Sequence, residues 1–249
     1  MEREELGRLL LRACGMAGAI LRATVDRSAS GLRDGQYRFD LDVDGPVVDL
    51  LVDAGLGVLS EEAGALQLDR ALVAVVDPVD GSTNAAHGIP WYATSICVVD
   101  ADGPLQSIVV DHSSHTRFEA RRGAGSARNG IPLPPPPEPP IDRAVVGVNG
   151  VPPAGAPWGQ FRALGAAALD LCAVASGVLG GYVDFDEDAH GSWDYLGGLL
   201  VCSEVGLVVE DAFGRDLVTL DHSARRTPVA GGPEAVFGSL RALRADSIG

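Results

Sequence analysis

The chain has 249 residues, with 34 acidic against 19 basic side chains and a formal charge of −15. Hydrophobic residues make up 46% and charged ones 21%, the composition of a core-forming chain rather than a disordered one. No run reaches the roughly 18–20 apolar residues that span a bilayer, and the acid excess excludes a general nucleic-acid binder, which needs a basic face for phosphates. A small phosphorylated partner stays open, because a bound metal reverses the sign of the field locally.

In chain order, Leu6, Leu9, Leu10, Ala13, Met16, Ala17, Ile20 and Leu21 recur at helical spacing, so a long amphipathic helix is expected first. The acidic, amphipathic start does not read as a signal peptide. Residues 27–43 read as a loop or hairpin, and Pro46 is expected in the first turn of a short helix over residues 47–54. Buried strands are expected at 56–60 and 71–76, each followed by acids. A meander at 93–99, 105–110 and 116–120 follows, with turns such as Asp102-Gly103. The segment PLPPPPEPP at 132–140 reads as a stiff polyproline connector. Beyond it, strands at 144–148, 182–185 and 207–210 alternate with helices at 166–176 and 195–205. The expected fold class is therefore α+β followed by α/β, with domains over 1–140 and 141–249. Cys14, Cys97, Cys172 and Cys202 are far apart, with no metal-binding spacing. Buried, reduced thiols of a cytoplasmic protein are expected.

Acidic residues collect in three short segments, LSEEAG, VAVVDPVDGSTN and GSWDYLGG. Each alone is explained by helix capping or turn formation. The middle segment holds more than a turn requires. Asp77 and Asp80 flank a proline bend that lets their carboxylates converge, and such a pair repels itself unless cations occupy the site. All-oxygen ligands suit Mg²⁺ or Mn²⁺ rather than Zn²⁺. Gly81, Ser82 and Thr83 then open a helical turn whose N–H groups can seat a phosphate.

SEE at 60–62, DPVDGSTN at 77–84 and WDYLGG at 193–198 stand in the order of the inositol monophosphatase-like superfamily, which this sequence resembles over most of its length. GLGVLSEEAG and RRGAGSARNGIPL are similar to family segments too. The resemblance implies a layered αβαβα sandwich and a lithium-sensitive, metal-dependent phosphatase with two or three Mg²⁺ ions, Mn²⁺ being an alternative. It implies metal ligation by Glu61, Asp77, the Val79 carbonyl, Asp80 and Asp194, with a third, weaker ion near Glu61 and Glu62. Gly81 and Ser82 would meet the phosphate, and Ser82, where the family usually has Thr, would polarise the water. By distance from the acidic pair, Asp44 is chosen as the acid completing that arrangement, with Asp42 as the fallback. Arg33 is the nearest substitute for a Lys the family often carries. Substrate contacts would come from Asp80, Asp194, the segment Gly165, Ala166 and Ala167, and Glu187. His87 and His190 are read as structural, with substrate contact as the alternative.

The implied reaction is in-line attack of metal-activated water on a small polyol or sugar phosphate, inositol monophosphate foremost. Histidinol phosphate, fructose 1,6-bisphosphate and 3′-phosphoadenosine 5′-phosphate are the alternatives, as is a non-catalytic metal-binding relative. The resemblance also implies a homodimer.

Overall fold

Strict alternation of burial partners along the central strands sets the layering. The computed structural model describes residues 3–33 and 35–246. Two helices come first, α1 (Arg3–Ala23) and α2 (Arg38–Asp53). An eight-stranded sheet follows, built from β1 (Gly57–Ser60), β2 (Gly64–Leu66), β3 (Val73–Asp80), β4 (Ala93–Asp100), β5 (Gly103–Asp111), β6 (Arg117–Arg121), β7 (Gly125–Arg128) and β8 (Ile131–Pro132), with the short helix α3 (Ser82–His87) after β3. Its spatial order is β2-β1-β3-β4-β5-β6-β7-β8. Only β1 and β3 pair in parallel; the meander expected from turn residues supplies the antiparallel core.

On β3 and β4, Ala74, Val76, Ile96 and Val98 face α1 and α2. Val73, Val75, Cys97 and Val99 face the opposite way, toward α4 (Ala167–Ala175) and α5 (Ser192–Ser203). Both faces of this sheet are covered, which is why its central strands read as unbroken apolar runs. Beyond α4 and α5 lies a second sheet of β9 (Val145–Asn149), β10 (Gln160–Arg162), β11 (Gly181–Asp184), β12 (Val208–Asp211) and β13 (Pro228–Gly231), in the order β10-β9-β11-β13-β12. It is mixed: β10, β9 and β11 run parallel, while β13 is antiparallel to both of its neighbours, β11 and β12. Helix α6 (Val236–Asp246) closes its outer face over Val146, Val148, Val183 and Val229. The architecture is a layered αβαβα sandwich.

Several elements depart from expectation. Helix α2 begins at Arg38, so residues 38–43 are helical and Pro46 lies in the helix interior. Phe39, Val43, Val47 and Leu51 form an uninterrupted buried row at spacing four; that burial outweighs the one N–H the proline removes. Strand β3 runs through the DPVD motif to Asp80 instead of stopping at Val76. Strands β2, β7, β8, β10 and β13 and helix α6 were not expected, most being too short to show a period. The polyproline segment carries no helix or strand over 133–140. It lies docked rather than free: Pro137 and Pro139 pack against Gly177 and Gly180, and the Glu138 carboxylate accepts from the N–H groups of Ala235 (2.6 Å) and Val236 (2.7 Å) at the start of α6. All four cysteines are buried and free. No helix among the described residues is long and apolar enough to cross a membrane.

Candidate active site

Strand β3 brings the central motif together through a register shift. Asp77 pairs with Ser95 and Asp80 with Ala93, so β3 carries one extra residue between them. Residues three apart on a regular strand point to opposite faces; one inserted residue restores them to the same face. Pro78 stands in that bulge, where its missing N–H costs no ladder bond, and its carbonyl accepts from Thr94 Oγ1 at 2.8 Å. Asp77 Oδ1 accepts from Val79 N–H at 2.9 Å, which closes the turn. Gly81 follows with φ of 80°, and a Cβ there would stand 2.9 Å from the Trp91 carbonyl oxygen; only glycine serves at this position.

The second half meets this strand end with two helix N-termini. Asp80 Oδ2 accepts from Ala168 N–H (2.8 Å) in the first turn of α4. Asp194, third residue of α5, accepts from Gly191 N–H at 2.7 Å, a capping bond that also places a carboxylate at the positive helix end. Oxygens of Asp77, Asp80 and Asp194 thereby come within 4.8 Å of one another.

These acids lie in a cavity of about 250 Å³. Its one wall is Glu61, Asp77, Val79, Asp80, Gly81, Ser82 and Thr83; the other is Val148, Asn149, Gly165, Ala166, Ala167, Asp170, Tyr182, His190 and Asp194. Burial, then the charges of Asp194 and Glu62, push the Glu61 carboxyl up to about 9, with Arg33 opposing. Burial and the surrounding carboxylates also hold Asp77 and Asp80 well above the usual carboxylate range. Arg33 bridges Glu61 (3.1 Å) and Glu62 (2.8 Å). Four crowded acids with oxygen donors only, two of them fully buried, form the donor set that hard divalent cations match.

Most residues singled out from the sequence converge here: Glu61, Asp77, Val79, Asp80, Gly81, Ser82, Gly165, Ala167 and Asp194 all line the cavity. Asp44 does not. It is buried on α2, accepts from the Ser60 hydroxyl, and is pushed up to about 6, mainly by burial. Asp42 is exposed. The acid beside Ser82 is Asp40, whose Oδ2 accepts from Tyr37 N–H at 2.8 Å and whose Oδ1 is buried without a hydrogen-bond partner. Burial raises Asp40 to about 7, opposed in part by that N–H, by Arg33 and by the Ser82 hydroxyl. The overlooked signal was the helical row starting at Phe39, which makes Asp40 an N3 residue. Glu187 is exposed and lies off the cavity wall. Within the run DFDEDAH, Asp184 ends β11 and is buried, while residues 186–189 form an outward turn in which Asp188 (φ 54°) pairs with Arg215 at 2.7 Å. His190 is the member of that run which reaches the cavity, held between Asp184 (3.4 Å) and Asp194 (3.6 Å). His87 is exposed. Asp170, bonded to Trp91 Nε1 at 2.9 Å, was not anticipated.

A model of the inositol monophosphatase family matches residues 49–244. The chain belongs to the inositol monophosphatase family. Members are metal-dependent phosphoric monoester hydrolases, and this chain is a phosphoric monoester hydrolase. It is 28% identical over 207 residues to the fructose-1,6-bisphosphatase of Pyrococcus furiosus, covering 79% of this chain and 78% of that one. It is 30% identical over 193 residues to inositol-1-monophosphatase ImpA of Mycolicibacterium smegmatis, covering 70% and 69%. A solved structure from Pyrococcus horikoshii, described as a hypothetical protein with similarities to inositol-1 monophosphatase, superposes with a TM-score of 0.88 at 21% identity over 100% of both chains. That likeness shows the inositol monophosphatase fold.

Proposed function

We propose that the protein hydrolyses a small polyol monophosphate, inositol monophosphate foremost, with Mg²⁺ as its cofactor. The observation that carries this reading is the meeting of the Asp77, Asp80 and Asp194 carboxylates beside Gly81 and Ser82 in one cavity. Glu61, Asp77, the Val79 carbonyl, Asp80 and Asp194 would hold two or three ions. When bound, such ions activate water and offset the charge that builds on the phosphoryl group and leaving alkoxide. The Ser82 hydroxyl orients the attacking water, with Asp40, rather than Asp44, as the acceptor behind it. The N–H groups of Gly81 and Ser82 hold phosphate oxygens. Asn149, Ala167 and His190, on the wall from the second half, face the alcohol. In this reading residues 1–140 and 141–249 are two domains, and the second supplies Asp194.

The likeness to the Pyrococcus furiosus fructose-1,6-bisphosphatase favours fructose 1,6-bisphosphate as the second reading. Phosphate release from inositol 1-phosphate, fructose 1,6-bisphosphate, histidinol phosphate and 3′-phosphoadenosine 5′-phosphate decides between them. Inositol 1-phosphate is expected to turn over fastest with Mg²⁺, and Asp77→Asn to lower turnover at least about a hundredfold, the scale of losing one electrostatic stabiliser. Release from none of the four, with Mg²⁺ or Mn²⁺, overturns the reading.

A further inference from the structure

The turn over residues 221–226, which belongs to none of the motifs above, packs beside the site without lining its cavity. Its far end is tied to the cavity wall: Arg226 N–H donates to the His190 carbonyl (2.8 Å) and His190 N–H to the Arg226 carbonyl (3.2 Å). At its tip the His222 ring lies on Trp193, centroids 4.7 Å apart, and Trp193 directly precedes Asp194. His222 Nε2 stands 3.2 Å from the backbone carbonyl oxygen of Glu61, 161 residues away in sequence. A carbonyl oxygen only accepts, so Nε2 carries the hydrogen. Glu61 N–H is already bonded to the Val76 carbonyl at 3.1 Å. Both backbone polar groups of Glu61 are therefore fixed, one by its own sheet and one by the second half of the molecule. Arg225 closes the turn, donating to the carbonyls of His222 (2.8 Å) and Ala224 (2.9 Å), with its guanidinium 5.0 Å from the Trp193 ring.

We infer that His222 is a positioning residue, a clasp that holds Glu61 at its set distance from Asp194 and so keeps the carboxylate cluster in register for metal. The inference rests on the metal reading of Glu61 proposed above. Glu61 sits at the end of β1 and Asp194 at the start of α5, on separate layers. The side-chain bond from His222 spans that gap without occupying the cavity. Groups that orient metal ligands in this way typically matter by 10–100-fold in metal affinity.

Calorimetric titration of the full chain with Mn²⁺ tests the clasp. His222→Phe keeps a ring on Trp193 and removes the donor; it is expected to weaken Mn²⁺ binding about tenfold, and His222→Ala at least as much. His222→Gln, which restores an N–H near the same place, is expected within about threefold of wild type. Arg225→Leu leaves His222 in place but opens the turn, and is expected to weaken Mn²⁺ binding in the same direction. Thermal melts run alongside show whether each variant is folded. Wild-type Mn²⁺ affinity in folded His222→Phe or Arg225→Leu overturns the inference, as does a His222→Gln no better than His222→Phe. Asp77→Asn separates the two levels: if it abolishes Mn²⁺ binding while His222→Phe does not weaken it, only the clasp falls. If Asp77→Asn binds Mn²⁺ like wild type, the metal reading itself falls.

Discussion

Two buried aspartates one helical turn apart on α2 have different neighbours, and the roles proposed for them follow from that. Asp44 is satisfied by the Ser60 hydroxyl, whereas Asp40 keeps one buried oxygen unbonded beside Ser82. We expect Asp40→Asn to lower kcat by roughly 10²–10⁴-fold, the range of a group that manages a proton in the transition state. Asp44→Asn should leave kcat within about threefold. Steady-state kinetics on both variants checks this, and the reverse outcome returns the role to Asp44. His112 offers a separate test, of stability. It is buried against Thr94 Oγ1 at 2.7 Å, and burial lowers its pKa from 6.5 to about 4. Below pH 6.5 the unfolded chain takes up a proton that the folded one refuses until about pH 4. Stability is therefore lost as pH falls through that window. Relative to His112→Gln, the wild type should lose about 3 kcal/mol between pH 7 and 4 in denaturant titrations.

At the scale of elements, short devices at strand and helix ends carry the site. The bulge in β3 turns an ordinary strand into a holder for two acids on one face, and the first turns of α4 and α5 each clamp one carboxylate. Bulges and caps depend on partners far along the chain, so they are faint in sequence; the apolar runs they terminate are plain. Glu138 is an instance. Within a proline string it reads as a solvated charge, yet its carboxylate caps α6 across nearly a hundred residues. Partial burial works against its ionised form, but the N–H donors of Val236, Ala235 and Glu234 outweigh that and lower its pKa. Glu138→Ala should cost about 1 kcal/mol of stability in chemical denaturation while leaving kcat and KM unchanged. A loss of activity at full stability would contradict a purely capping role.

For the whole molecule the charge of −15 divides into two kinds. Part lies on the surface, and part is packed between the two sheets in Glu61, Asp77, Asp80 and Asp194, where it opposes folding unless neutralised. In the metal reading, Mg²⁺ at about a hundred times its dissociation constant stabilises the fold by about 2.7 kcal/mol, or about 5–10 °C in a molecule of this size. Differential scanning fluorimetry with Mg²⁺ and then a chelator should show the rise and its reversal. Asp77→Asn should show neither, and should melt above the metal-free wild type because one repelling charge is gone. An Asp77→Asn variant that still gains the full Mg²⁺ shift would refute this assignment.

Chemistry that sits in consecutive residues was legible from the sequence alone. The spacing within DPVDGSTN pointed to an oxygen-lined cation site with a seat for phosphate, because ligand type and local turn geometry are encoded within a few residues. The phosphatase reading, with the acidic pair at 61–62 and Asp194 after Trp193, came from the family resemblance. The buried strands were legible for a like reason, since apolar runs register burial directly. Counting along the chain could not rank Asp40 over Asp44, bring His190 rather than Glu187 to the wall, or seat His222 on Glu61. Those choices depend on which side chains face one another across two sheets and the helices between them. Such facing is set by packing over tens to more than a hundred residues of separation, and only the tertiary structure decides it.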